Sequence, residues 1–351
     1  MNPVRRACLL FLAAAVVARA DDSKETRVTT FVAEDRASLA SGTLGALPTL
    51  ESRPIQAVAP FDRVCVSVNA TVPDDARVEV AAKVGLESGA TEWLGLGTVA
   101  NPDAAAKVPC SVASKDGAGV KVAIDTIEFE HATGRTVTVR LVLHRSSRNE
   151  LPHVRRIAVS AWPHGKLDAE PASKHPAWGK VLDVVERSQR VEDPKISGRI
   201  CSATSLGMVL AFHGFKKETA EVCREVLDHE AGIYGNWALN VAYAGRLGLD
   251  ASIVRMGSFA PLEDEIAAGR PVVISHRWSR GELSGAPINS TDGHLIVVRG
   301  FTKEGDLVVN DPAADPRKGD KIERVYKRAE IARTWLGNTD GIAYVLARAR
   351  K

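Results

Sequence analysis

The stretch G-R-I-C-S-A-T-S-L-G-M-V-L-A-F-H-G, residues 198–214, decides how the second half of the chain is read. One cysteine stands between a polar loop and an apolar run in which Leu206, Val209, Leu210 and His213 recur at helical spacing, and Gly214 is placed as a left-handed stop. The spacing predicts a helix over 201–213. A cysteine within such a helix is usually core, but at its first residue the unpaired N–H groups favour a thiolate. Gly198 permits a tight entry, so Cys201 is a candidate nucleophile if a base and an orienting group exist elsewhere.

Downstream, Lys217–Leu227 carries an apolar stripe of Val222, Cys223, Val226 and Leu227, and Trp237–Leu247 is capped by Asn236 and ended by Gly248. The pattern then turns to β-branched strands at 271–275, 294–299, 307–310 and 342–346, with short helices at 261–268 and 326–336. Helices followed by a mostly antiparallel sheet make an α+β domain.

Among nine histidines, His294 follows the turn pair Asp292-Gly293 and opens an apolar strand, where a side chain points into the cleft that the sheet borders. The strand 307–310 follows through a short connection. As a hairpin neighbour, its far end, Asn310-Asp311-Pro312, falls beside His294. A carboxylate there orients the imidazole, giving the order Cys201, His294, Asp311. His213 and His276 read as structural, and Cys223 as core. His276, Asp292, His294 and Asp311 could converge at one cleft, yet with no H-E-x-x-H and no paired C-x-x-C neither a metal nor a cofactor is expected. The Ser-, Gly- and Pro-rich segment 276–293 reads equally as a flap or a surface loop.

Four blocks in this order resemble the papain-type cysteine peptidases related to the double-glycine-leader, bacteriocin-processing peptidases. They are Ser188-Gln189, Cys201-Ser202-Ala203-Thr204-Ser205, Gly293-His294-Leu295-Ile296-Val297-Val298-Arg299-Gly300-Phe301 and Asn310-Asp311-Pro312, within about residues 181–349. The resemblance implies a papain-like fold and an oxyanion-hole role for Gln189 beside the Cys201 N–H. Ala203 departs from the proline often found there, and the absence of a transporter segment removes any warrant for leader-peptide export.

The first half has a different period. From about 54 to 163, alternating runs such as Val64–Ala70, Arg77–Ala81, Thr136–Val142 and Val154–Trp162, separated by Pro-Asp-Asp, Lys-Asp-Gly and Thr-Gly turns, predict an all-β sandwich. Such a domain resembles the one that accompanies some secreted members of the family. Trp93 and Trp162 read as core, with a sugar platform as the alternative. Residues 21–53 are polar and read as a leader or linker with one short strand at 27–33. Residues 164–180 read as a second linker, followed by the peptidase-like domain over 181–351.

Residues 1–20 carry Arg5 and Arg6, an apolar run and Ala18-Arg19-Ala20, the pattern of a signal peptide cleaved near Ala20 and thus of a secreted or periplasmic protein. Without them the chain has 43 basic and 43 acidic residues. That balance, with no Lys/Arg block, argues against nucleic acid or an anionic membrane as partner, and no run reaches the length of a membrane span. Cys65 and Cys110 are the two cysteines of the β-domain, and an oxidising compartment makes them a candidate disulfide. The expected activity is thiol hydrolysis of a peptide or protein substrate. The alternatives are a cell-wall amidase or acyl transferase on the same constellation, or an inactive binding module.

Overall fold

The computed structural model describes residues 29–34, 39–112, 116–117, 119–165 and 174–349. The expected signal peptide lies outside them, as do residues 166–173 of the expected second linker.

Two antiparallel sheets make up the N-terminal half. One orders strands 29–34, 153–162, 63–71, 126–129, 120–123 and 116–117; the other orders 39–44, 47–52, 134–144, 77–86, 94–103 and 108–111. Strand alternation explains their meeting: Val78, Val80, Ala82 and Val84 share one apolar cluster with Val64, Val66 and Val68 of the other sheet. The expected leader is not free of structure. Strands 39–44 and 47–52 form a hairpin that pairs with 134–144, and 29–34 pairs with 153–162. Strand 39–44 hid from the sequence because it is an exposed edge, held by its backbone ladder rather than by an apolar face.

Strand 63–71 is buried on both faces over residues 64–70. Its even-numbered residues fill the cluster between the sheets, while Cys65 joins a second cluster with α1, the helix Cys201–Phe212. The proposed Cys65–Cys110 disulfide is therefore absent, and all four described cysteines are free. The two lie on strands of different sheets, Cys65 opposite Thr126 and Cys110 opposite Thr98, and the Cys65 side chain turns toward the C-terminal half, where its Sγ hydrogen-bonds Thr126 Oγ1 at 3.1 Å.

In the C-terminal half, α1, α2 (Thr219–Val226) and α3 (Trp237–Arg246) pack with a six-stranded antiparallel sheet of order 249–255, 342–348, 272–278, 291–301, 307–310, 323–326. Val273, Leu295 and Val297 join the cluster of α1; Val272, Ile274, Ile296 and Val298 join a cluster with Phe259, Leu262 and Trp335. With apolar groups on both faces, these strands read as continuous apolar runs. α1 is buried all round over Ser202–Leu210, more than the single stripe expected. The final helix expected at 326–336 is present from 328, as a helical turn at 328–331 continued by a π-helix at 332–337, while Tyr326 belongs instead to a strand, 323–326.

Strand 249–255 was not foreseen. It pairs with 342–348 on one side, and its other edge is closed by side chains of the N-terminal half. Asn69 Nδ2 donates to Ala251 O and Asn69 Oδ1 accepts from Ala251 N, both at 2.9 Å. Ser67 Oγ accepts from Ile253 N at 2.9 Å, and Ser160 Oγ donates to Ile253 O at 2.7 Å. Side chains thus do for this edge what a neighbouring strand does elsewhere. A Cβ on Gly245 of α3 would lie 2.8 Å from Asn69 Cα, so glycine is needed for this approach. At the end of the expected linker, Trp178 and Val181 bridge to Phe301 and Gly300, and a Cβ on Gly300 would meet Lys180 O at 2.4 Å.

Candidate active site

α1 begins at Cys201 with no side-chain cap and no acidic residue in its first turn, so its N–H groups are left to what lies at its start. Gly198 has no positive φ and open space around it; what it provides is an unobstructed cleft edge rather than a tight entry. The N-terminal Cys201 lines a cleft of about 760 Å³ together with His294 and Gln189.

His294 lies near the start of strand 291–301, and Asp311 directly follows strand 307–310. The register pairs Val297 with Asn310, which brings the end of the second strand back toward the beginning of the first, as the hairpin argument required. His294 Nε2 meets Asp311 Oδ1 at 2.8 Å, with both side chains almost wholly buried. Asp311 Oδ1 also accepts from Ala313 N at 2.9 Å, and Oδ2 accepts from the Tyr326 hydroxyl at 2.6 Å.

These contacts set the direction in which each group is shifted. Burial pushes the Asp311 carboxyl up, but the charge of His294 and the hydrogen bonds from His294, Tyr326 and Ala313 N–H outweigh it, and the carboxyl sits at about 2. Burial likewise opposes the imidazolium, yet Asp311 and the sulfur of Cys201 raise His294 well above its ordinary value. For Cys201, burial opposes ionisation; the hydrogen bond and charge of His294, with the N–H groups of Leu295 and Ser202, bring the thiol below its ordinary value.

Gln189 is 2 % exposed and its backbone N–H donates to Pro312 O at 2.9 Å, which ties it to the Asp311 turn. Its Nε2 donates to Ser197 O at 2.7 Å, fixing the amide in the loop before the cysteine, while Oε1 has no partner among the described residues. All four residues expected at the site are thus gathered in one place. Asn310, beside Asp311, is structural: its Nδ2 donates to Val184 O at 3.1 Å and Val185 O at 3.2 Å.

Two neighbours were not anticipated as part of the site. Tyr326 sits 15 residues beyond Asp311 on the next strand, and only the register of 307–310 with 323–326 brings it there. Trp278 stands edge-on to His294, ring centroids 5.8 Å apart, and tilts against His276 at 4.6 Å. His276 lies directly opposite His294 across the strands; burial first, then the charge of His294, pushes it down to about 3, so it stays neutral beside the imidazolium. His213, the other histidine read as structural, is lowered by burial and lies at the far end of α1.

The N-terminal half also borders the cleft, through Arg63, Glu128, Trp162 and His164. Asp340 joins the halves there: its Oδ2 accepts from Trp162 Nε1 at 3.1 Å and faces His164 Nδ1 at 2.7 Å. Trp162 is accordingly buried, and Trp93 is covered by the Arg140 guanidinium 3.7 Å from its ring centroid, so neither offers an open sugar platform. The loop after strand 272–278 is fastened by Ser284, whose Oγ donates to Glu330 Oε1 at 2.6 Å and whose N–H donates to Glu330 Oε2 at 3.1 Å. No cluster of His, Cys, Asp and Glu suited to a metal ion occurs among the described residues, and no helix there is long and apolar enough to cross a membrane.

A thiol at a helix start beside a buried imidazole–carboxylate pair is the arrangement of a cysteine peptidase-like hydrolase, and comparison with known families agrees. The Peptidase C39-like family matches residues 181–341, and the Peptidase C39 N-terminal domain matches residues 17–161; the two matches support a cysteine peptidase-like hydrolase. Among solved structures it is similar to a C39-like peptidase from Bacillus anthracis, at 19% identity over 49% of this chain and 99% of that one, with a TM-score of 0.37. It is also similar to a double glycine motif protease from an AMS/PCAT transporter, solved in complex with the leader peptide, at 21% identity over 48% of this chain and 95% of that one, with a TM-score of 0.32. No curated protein matches the sequence.

Proposed function

We propose that the chain is an exported thiol hydrolase that cleaves peptide or amide bonds through an acyl-enzyme on Cys201. The observation that carries this is the geometry: Cys201 opens α1 on the cleft that His294 also lines, and His294 Nε2 meets the buried Asp311 carboxylate at 2.8 Å, an arrangement that favours a lowered thiol and a raised imidazole. The Cys201 thiolate attacks the carbonyl carbon. His294 then gives its proton to the leaving amine, and later takes one from the water that releases the acyl group. Asp311 keeps the imidazole charged and oriented, and Tyr326 and Ala313 N–H keep Asp311 in place. Gln189 Nε2, held against Ser197 O with a second N–H unspent, and the Cys201 backbone N–H receive the oxyanion; one such donor contributes on the order of 3 kcal/mol.

The all-β half is read as a sandwich and the C-terminal half as papain-like in arrangement, with the cleft between the two. The arginine-led apolar run over residues 1–20 supports export. Hydrolysis of a mixed fluorogenic peptide library by the purified protein tests the proposal. Turnover that vanishes in Cys201→Ala and His294→Ala is expected; equal turnover in Cys201→Ala refutes it.

A further inference from the structure

The charges around the cleft are unevenly matched. Arg63 of the N-terminal half is answered by carboxylates, with Asp62 at 3.5 Å and Glu128 at 4.0 Å, and Asp340 is taken up by Trp162 and His164. Arg190, Arg199 and Arg277 also line the cleft, and none of them has an ion-pair partner among the described residues. Carbonyl oxygens hold them instead. Arg190 Nε donates to Ala313 O at 3.2 Å, Arg199 Nη1 to Gly232 O at 3.3 Å, and Arg277 Nη2 to Asn338 O at 2.9 Å. Asn338 Nδ2 returns a bond to Arg277 O at 2.9 Å, and the Arg199 guanidinium lies 5.6 Å from the Tyr234 ring centroid. Carbonyls fix where a guanidinium points and leave its full charge to act on whatever enters.

Their positions bracket the chemistry. Arg190 follows Gln189, Arg199 lies two residues before Cys201, and Arg277 follows His276, which faces His294 across the strands. Against these three cations the cleft offers two carboxylates: Asp292, which has no ion-pair partner among the described residues, and Asp340, whose partner His164 is a counter-charge only when protonated. The excess is local: outside residues 1–20 the chain carries equal numbers of acidic and basic residues.

We propose that this cleft selects an acidic peptide, one with Asp or Glu side chains close to the bond presented to Cys201. The inference rests on the hydrolase reading for its substrate, but the field of the three arginines is measurable without any turnover. Iodoacetate and iodoacetamide differ chiefly in charge, and both alkylate a thiolate. At about pH 9, where even a thiol of ordinary pKa near 8.5 is mostly ionised, the iodoacetate-to-iodoacetamide rate ratio at Cys201, read by peptide mapping, reports the local potential. The ratio is expected to exceed that of glutathione and to fall about three- to tenfold in R199Q/R277Q, and similarly on raising the salt from about 0.01 to 1 M, which shortens the screening length from roughly 30 to 3 Å.

His294 is unchanged in that variant, so its own charge does not account for the fall. The salt series on the native protein stands even if the double variant fails to fold. A short Glu/Gly peptide should also slow Cys201 alkylation more than a Lys/Gly peptide of equal length. A ratio equal to that of glutathione and indifferent to salt, or better protection by the Lys peptide, overturns the proposal. Ordinary reactivity of Cys201 at acidic pH would instead overturn the hydrolase reading, and the charge ratio would still be read.

Discussion

Asp311→Asn is the sharpest probe of how the site is wired. The substitution keeps shape and takes away one charge, because Tyr326 can turn its hydroxyl to accept from the new amide while the remaining carbonyl keeps His294 and Ala313 N–H. What is lost is the counterion of an imidazolium in a site that excludes water almost completely. Breaking a buried pair by removing one partner typically costs about 3–5 kcal/mol. At 1.36 kcal/mol per pKa unit, that is roughly 2–4 units off His294, since the burial that opposes its charge remains. The imidazole then becomes neutral near pH 7 and Cys201 loses the cation that lowers it. The assay is the rate of Cys201 alkylation by iodoacetamide against pH, with folding checked by circular dichroism. The native protein should react at mildly acidic pH, and the variant's profile should move at least about two pH units toward alkali. A shift under about half a unit in a folded variant would refute the coupling.

Five further outcomes follow from the geometry. The Tyr326→Phe substitution removes one hydrogen bond to a charged group and should cost about 1.5–3 kcal/mol of pair stability, a smaller displacement of the same profile than Asp311→Asn gives. In stability against pH the two members of the pair have opposite signs. The depressed Asp311 stabilises above its unfolded value near 3.8, and this is lost as pH falls through about 2; the raised His294 stabilises below its unfolded value near 6.5, and this is lost as pH rises through its folded value. Urea unfolding of native protein and of Asp311→Asn across pH should therefore differ most between about pH 4 and 6.5, where both contributions are complete. Asn69→Ala leaves the buried N–H of Ala251 unpaired and its C=O with only the long bond from Arg156 Nη1 at 3.5 Å, and should destabilise by about 1–3 kcal/mol in the same assay. In calorimetry both halves should melt in one transition, because their contact closes a sheet edge; two separate transitions would show instead that the halves fold independently. Cys223, which burial pushes up to about 12, should stay unlabelled throughout.

Much of the candidate site was legible because its members are local in kind. Cys201 announced itself by standing at a change of period, and His294 and Asp311 by sitting at the two ends of a hairpin whose short connection fixes the pairing. Tyr326 was not legible, since its place depends on the register of a third strand, and its sequence looked helical. The N-terminal sheets were read from alternation, but the edge strands at 39–44 and 249–255 escaped. Strand 39–44 is an exposed edge with no apolar face for hydropathy patterning to register, whereas 249–255 does bury Leu249, Ala251 and Ile253, but in a short alternation directly after α3 whose outer edge is closed by bonds from the other half. The same reason undid the disulfide: two cysteines in one domain say nothing about which side of a sheet each faces, and Cys65 faces away from the space between the sheets.

The central claim, that Cys201 carries the acyl group, is tested most directly by trapping it. Mixing the protein with an activated peptide ester and quenching in acid should give, by intact mass and peptide mapping, an acyl adduct on Cys201 that disappears on longer incubation and does not form in His294→Ala. An adduct on another residue, or none at all while the ester is hydrolysed at the same rate by Cys201→Ala, would contradict the account.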